Sequence, residues 1–341
     1  MRVLVTGATS GLGRNAAEWL LAAGYQVHAT GRDEAVGRLL VAQGAKFTEL
    51  DLTRAGVEQC EQLMVGCDVV WHCAAKSSPW GRSSEFYQIN TYVTDKLAQV
   101  AGRCGIRRFI YISTPAVYFD FQHRHNIAEG EFADSFANHY AASKFSAEQS
   151  IAALLHLYPQ TTYLILRPRG LFGPHDRVNV PRILAQLRRD KGVLRLPGGG
   201  KACLDLTFVL NVVHALDLAS RKENLTSGSI YNITNQQPQP LAEVLEQLLI
   251  KQLGWQYRLQ AVPYPLLLSL ACGMEMLAFV TDQEPALTRY GVATTYFDMT
   301  LDNTRAIEEL GYRPLYSMEQ GIELTGQWLK QQGVLAAVGR K

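Results

Sequence analysis

The sequence predicts an α/β chain built on a doubly wound parallel sheet, with a smaller, discontinuous second domain. Apolar, β-rich runs alternate with helix-like segments as far as residue 168, the pattern of right-handed crossovers between parallel strands. Those strands read as unbroken apolar runs, as strands covered on both faces do. At 341 residues the chain is also longer than one core usually serves.

In chain order, "RVLVTG" is a strand, "NAAEWLLAAG" a helix, "QVHATG" a strand, "AVGRLLVAQG" a helix, and "KFTELD" and "CDVVWHCAA" are strands. A helix through "TYVTDKLAQVAGRCG" then leads to the strands "RRFIYIST" and "TTYLILRP". After Pro168 the composition turns to Gly, Pro and Arg, which marks the start of the smaller domain. "DLTFVLNVVHALDLAS" and "GSIYNITN" resume a helix and a strand that return to the large sheet. The expected division is 1–167 plus about 205–235 for the large domain, and 168–204 plus about 236–341 for the smaller one. "LLLSLACGMEMLAFV", Leu266 to Val280, is shorter than a membrane span and contains Glu275, so it reads as a buried or interfacial helix, not an integral membrane segment.

Composition narrows the function. Hydrophobic residues make up 47% and charged residues 19%, ordinary for a globular enzyme. Lys+Arg 33 against Asp+Glu 31 gives +2, which provides no field to recruit nucleic acid or an anionic membrane. Cys60, Cys67, Cys73, Cys104, Cys203 and Cys272 form no Cys-x-x-Cys pair, and a chain of this length needs no disulfide staples. Reduced thiols, and an N-terminus without a signal-like apolar segment, point to the cytoplasm.

Gly7, Gly11 and Gly13 sit where the first strand becomes the first helix. A tight turn there needs positive φ, a diphosphate needs close backbone approach, and the helix start offers free N–H groups. The spacing is Gly-x-x-x-Gly-x-Gly, and its position points to a dinucleotide. At the end of the second strand an acidic residue would hold the ribose of NAD; here Gly31 and Arg32 stand there, and Arg14 follows the glycine loop. Two guanidinium groups favour the 2′-phosphate of NADP, while Asp33 leaves NAD open. Asp51 and Leu52 in "ELDLT" would lie beside the adenine.

Hydride transfer to a carbonyl also needs a proton donor, and a Tyr with a Lys four residues later on one helix face suits that task. The chain carries this pair twice, as Tyr140–Lys144 and Tyr92–Lys96. Ligands lie at the carboxyl ends of strands. The Tyr140 helix is the next one after Ser113 and Thr114 close a strand, so Tyr140 is favoured and Tyr92 reads as a helix-surface residue.

"TGATSGLG", "DLT", "HCAA", "YQINTYVT", "STPAVY", "YAASK" and "RPRGLFGPHD", in this order, resemble an extended short-chain dehydrogenase/reductase with its Rossmann-type sheet. Ser10 stands where that family has glycine. The resemblance implies that Tyr140 passes the proton, Lys144 lowers its pKa and holds the nicotinamide ribose, Thr114 binds the substrate oxygen, and Asn90 orders the relay. The implied cofactor set is Gly7, Thr9, Ser10, Gly11, Leu12, Gly13, Arg14, Arg32, Asp51, Leu52, Cys73, Ala74 and Ala75, with Tyr140, Lys144 and Pro168. "LNVVHALDLAS", "VPYPLLLSLACGMEMLAF" and "LDNTRAIEELGYRPLYSMEQGIELTGQWL" resemble its 3β-hydroxysteroid dehydrogenase/isomerase-like branch. The family often pairs the helices around Asn90 and Tyr140 into a homodimer.

The substrate expected is a small hydrophobic molecule, walled by the Leu266–Val280 stretch and by Trp80 and Phe86. A rival is a nucleotide-sugar epimerase or dehydratase using Arg177, Arg182, Arg188 and Arg189 on a diphosphate. A further alternative, a non-catalytic cofactor-binding sensor or scaffold, would not need the proton relay. His123 and His125 lack clear further ligands, so no metal site is expected. The loop "FDFQHRHNIAEGEFADSFANH" around them reads as a cover over the active site.

Overall fold

A computed structural model describes residues 1–281 and 283–333; the end of the expected second domain, 334–341, lies outside them. Seven strands, β1 (Arg2–Thr6), β2 (Gln26–Gly31), β3 (Lys46–Glu49), β4 (Val69–His72), β5 (Arg108–Ile112), β6 (Thr162–Pro168) and β7 (Ser229–Ile233), form one sheet. Their order is β7-β6-β5-β4-β1-β2-β3, and every pairing is parallel. The winding reverses between β1 and β4, so a crevice opens outside their carboxyl ends.

The unbroken apolar runs serve two cores at once, because successive strand residues face opposite sides. Val3, Val5, Val69, Trp71, Ile110, Leu164 and Leu166 join Ala16, Ala17 and Leu20 of helix α1 (Gly11–Ala22) on one face. Leu4, Val70, Phe109, Tyr111, Tyr163 and Ile165 join Ala147, Ile151 and Leu154 of helix α2 (His139–Leu154) on the other. Each fully buried side chain of this size contributes roughly 1.5–3 kcal/mol. A charged replacement at Leu4 or Ile110 would break one core without touching the other.

The chain after β6 builds a second region on its own apolar cluster, with Leu184, Leu196, Leu249, Met318 and Ile322 among its members. Short strands there pair Val193–Pro197 with Arg258–Val262, and Leu171–Phe172 with Thr207–Phe208. A further small sheet runs in the order Gln239–Pro240, Cys203–Leu204, Met299–Leu301, Arg124–Ile127.

That last strand corrects one expectation. The loop around His123 and His125 is not a free cover, because Arg124–Ile127 is hydrogen-bonded into this sheet. His123 and His125 face Asp298 at 3.1 and 3.7 Å. The apolar stretch forms helix α3 (Tyr264–Thr281), which at 18 residues is longer than the expected Leu266–Val280 and, by length and composition alone, long and apolar enough to cross a membrane. Only Leu267, Ala271, Glu275 and Ala278 are buried, while Phe279 and Val280 are 78% and 84% exposed. Hydrophobicity predicts a preference for burial, and here the fold leaves it unmet over most of one helix.

Candidate active site

The glycine loop joins β1 to α1, and each glycine is needed for a different reason. Gly7 has φ +67°, and a Cβ there would lie 2.8 Å from the Ala74 Cα at the end of β4. Gly11 has φ +52° with open space around it. Gly13 has ordinary dihedrals, but any side chain would strike the Gly7 carbonyl. Ser10 is extended, at φ −159° and ψ 158°, a conformation that does not require glycine. It makes no side-chain cap to α1, whose first turn also lacks an acidic residue. The amide groups there remain available to an anion, so this cradle fits a dinucleotide diphosphate.

The rest of the expected cofactor surface lines the same edge. The Thr9 side chain packs where a Gly31 side chain would be. Arg32 is exposed at the end of β2, whereas Asp33 accepts from Val36 N at 3.1 Å and caps the following helix. Arg14 is turned along α1 onto Glu18 at 2.9 Å. Asp51 accepts from Thr53 N and Oγ1 at 3.0 and 2.7 Å; these bonds, with Arg32 and Arg54 adding, hold its carboxyl below the usual range. Leu52 is buried beside it, and Leu12 packs against both the α1-side core and the apolar cluster of the second region. Beyond β4, Cys73, Ala74 and Ala75 run past the glycine loop, with Ala74 N donating to Thr6 Oγ1 at 3.2 Å. Pro168 closes β6.

Tyr140 sits in the first turn of α2, which Asn138 caps by accepting from Ala141 N at 2.8 Å. The buried stripe Ala141, Lys144, Ala147, Glu148, Ile151 turns this helix onto the sheet. Thr114, two residues past β5, presents its hydroxyl to the Tyr140 phenol, and Ser77 reaches it from the loop after β4. Burial pushes the phenol above its ordinary value, with Thr114 and Ser77 opposing, so Tyr140 holds its proton at neutral pH. This corrects the expectation that Lys144 lowers it, because the Lys144 ammonium is turned to the Ile112 carbonyl and does not act on the phenol. Lys144 Nζ donates to Ile112 O at 2.7 Å and lies 4.6 Å from the centre of the Tyr111 ring. Burial brings its ammonium down to about 7.

Asn90 lies in a π-helical turn, Tyr87–Tyr92, a distortion common at functional sites. Its Oδ1 accepts from Lys76 N at 2.8 Å, and its Nδ2 donates to Lys76 O at 3.1 Å and Ser143 Oγ at 3.0 Å. It thereby ties the Ser77 loop to α2 and positions both sides of Tyr140. Deeper in the same face, Glu148 takes Arg167 and Ser113, and Arg167 reaches Tyr118 OH at 2.5 Å.

Three residues near this site, Ser77, Arg169 and Tyr290, escaped sequence reasoning. Ser77 gave no signal beyond its place after a strand. Arg169 stands one residue past β6, and burial pushes the Tyr290 phenol up to about 12 with the nearby Arg169 charge opposing. Arg177, expected only in the diphosphate role of the rival reading, points instead at the glycine loop, 3.5 Å from Thr9 O and 3.9 Å from Asp33 Oδ2.

Residues 3–234 match the NAD dependent epimerase/dehydratase family. The chain is 46% identical to the Escherichia coli (strain K12) protein named "Uncharacterized protein YbjS", over 98% of this chain and 99% of that one. It is 29% identical to a 2-alkyl-3-oxoalkanoate reductase of Shewanella oneidensis, covering 94% and 84% of the two chains. The fold is similar to that of UDP-glucuronic acid 4-epimerase from Bacillus cereus, solved with UDP-glucuronic acid and NAD. The TM-score is 0.77 at 21% identity, over 97% and 100% of the chains. With a Tyr, a Thr and a Lys gathered at the carboxyl edge of a seven-stranded sheet beside a glycine cradle, the chain belongs to the NAD dependent epimerase/dehydratase family of extended short-chain dehydrogenases/reductases, as an NAD(P)-dependent oxidoreductase.

Proposed function

We propose that the protein is an NADP-dependent ketoreductase of a hydrophobic substrate. The observation that carries this reading is the apolar approach to Tyr140. Phe279, near the end of the exposed α3, stacks edge-on at 4.9 Å against Trp80, in the same loop as Ser77. Phe86 lies 6.4 Å from the Tyr140 ring. A ketone with an alkyl or ring body would find apolar walls leading to a single polar corner.

The cradle of Gly7, Gly11 and Gly13 would hold a nicotinamide dinucleotide, which would supply the hydride for the carbonyl carbon. Tyr140 gives its proton to the carbonyl oxygen as negative charge develops there, and burial keeps that proton in place until it is needed. Thr114 orients the same oxygen. Lys144, held on the last carbonyl of β5, supplies the donor for the nicotinamide ribose. NADP is favoured over NAD because Asp33 is engaged as a helix cap while Arg32 stands exposed next to it. Arg32→Asp should weaken NADPH binding far more than NADH binding; equal weakening removes Arg32 from the phosphate site.

The nucleotide-sugar reading needs arginines free to meet a diphosphate, yet Arg182 pairs with Glu284 at 2.8 Å and Arg189 with Asp190 at 3.0 Å. The deciding experiment follows NADPH consumption across long-chain ketones and nucleotide sugars. Tyr140-dependent reduction of an apolar ketone is the expected result. Conversion of a nucleotide sugar without net cofactor use would replace this proposal with the epimerase.

A further inference from the structure

His72, the last residue of β4, is a buried titratable group that the ketoreductase reading leaves without a task. Parallel pairing sets it in one row with Thr6 of β1 and Tyr111 of β5, on the face of the sheet that α2 covers. An imidazole there is costly unless both ring nitrogens find partners. Both do: Nδ1 lies 2.7 Å from Thr6 Oγ1, and Nε2 lies 2.8 Å from Thr94 Oγ1.

The proton positions follow from the far end of this chain of contacts. Thr94 Oγ1 is 2.6 Å from the Asn90 carbonyl oxygen, and a carbonyl only accepts, so the Thr94 hydroxyl proton points there. That hydroxyl has only a lone pair left for His72, which therefore donates from Nε2–H. A neutral ring with its proton on Nε2 is bare at Nδ1, so Thr6 Oγ1 donates to it, and Thr6 in turn accepts from Ala74 N at 3.2 Å. Burial keeps the ring neutral, bringing its value down to about 3. From Ala74 N through Thr6, His72 and Thr94 to Asn90 O, every donor points away from the glycine cradle.

The line ends on a distorted turn. A threonine hydroxyl that bonds back to the carbonyl four residues earlier bends a helix. Thr94 does this to Asn90, within the π-helical turn Tyr87–Tyr92. His72 fixes that choice, because the hydroxyl cannot donate towards Nε2–H. The bend sets where the Asn90 side chain stands, and that side chain joins Lys76 to Ser143 across the two sides of Tyr140. The same imidazole stacks on Tyr111, with ring centres 5.7 Å apart, and Lys144 Nζ lies 4.6 Å from the centre of the Tyr111 ring.

We propose that His72 is a positioning residue, whose Nε2–H tautomer locks the Thr94 back-bond and through it the π-turn that places Asn90 for proton delivery by Tyr140. Only the last step, proton delivery, rests on the ketoreductase reading.

The test uses three variants. His72→Gln keeps an amide donor where Nε2–H stood, His72→Met has none, and Thr94→Val removes the hydroxyl while keeping the shape. In protein with isotope-labelled histidine, NMR of the ring nitrogens should show one ring held as the Nε2–H tautomer from about pH 5 to 8, absent in His72→Met. Hydrogen exchange in the peptide from Tyr87 to Thr94 should speed up roughly 10-fold in His72→Met and in Thr94→Val, and no further in the double variant. With NADPH and 2-nonanone, His72→Met should lose about 30-fold in kcat, with the ketone KM and the NADPH Kd within about 2-fold of the wild type, and His72→Gln should recover most of the loss.

An Nδ1–H or titrating ring, or unchanged exchange from Tyr87 to Thr94 in both His72→Met and Thr94→Val, overturns the proposal. So does an unchanged kcat in a folded His72→Met. Should His72→Met fail to fold, Thr94→Val carries the exchange and kcat measurements, and the wild-type tautomer is read as before. If the wild type leaves 2-nonanone unreduced while the tautomer and exchange results hold, the ketoreductase reading loses support and the positioning of Asn90 stands.

Discussion

Tyr140–Lys144 and Tyr92–Lys96 have the same spacing on adjoining helical segments, and the structure gives them opposite fates. Tyr140 meets Thr114 and Ser77 at the sheet edge, whereas Tyr92 is 60% exposed. Lys144 is buried against the Ile112 carbonyl, while Lys96 spans to the Leu52 and Ala55 carbonyls at 2.9 and 2.6 Å and pins the loop that follows β3. Spacing places two side chains on one helix face. What that face meets decides whether the pair does chemistry or carpentry.

The comparison can be broken most directly at the phenols. Tyr140→Phe should bind NADPH like the wild type and lose turnover by about 1,000-fold; a comparable loss in Tyr92→Phe, with Tyr140→Phe active, would exchange the two assignments. The lysines sharpen it through pH. With a folded value of about 7 against an ordinary 10.5, Lys144 sheds its proton in the folded chain while the unfolded chain still holds one. Stability should therefore climb as pH rises from about 7 towards 10.5, and be lowest, as far as this group is concerned, below 7. Melting temperatures of the wild type and Lys144→Met across that window should diverge by this slope; parallel curves would contradict the burial of a titrating Lys144.

At the other pair, Lys96→Met strips two carbonyls of their donor. It should cost about 1–3 kcal/mol in urea unfolding and weaken cofactor binding through the Asp51–Leu52 loop, with turnover at saturating cofactor preserved. The smallest effect belongs to Tyr92→Phe, which should shift stability by less than about 0.5 kcal/mol.

What was legible in the sequence is what neighbouring residues decide among themselves. The seven strands announce themselves because each apolar run serves both cores, and the glycine loop because Gly7 and Gly11 need positive φ. The site's remaining parts depend on encounters across the chain. Ser77 acquires its meaning from Tyr140, with no local pattern to announce it. "RHNI" reads as loop because it is polar, yet Arg124–Ile127 becomes a strand by pairing with Met299–Leu301. For α3 the sequence left burial and an interfacial position both open, because it reports how apolar a helix is, not how much neighbouring surface the fold supplies to cover it.

That helix has one residue charged at neutral pH, Glu275, and the fold turns it inward onto Arg289, with Oε1 accepting from the backbone N at 2.7 Å and Oε2 from Nε at 2.6 Å. The outward stripe of Leu266, Leu270, Met276, Leu277 and Val280 is left with no ionisable group of its own. The attraction of this stripe for other apolar surface should then be nearly indifferent to acidity and only weakly coupled to ionic strength, and should slacken on cooling, since its driving force is the release of water.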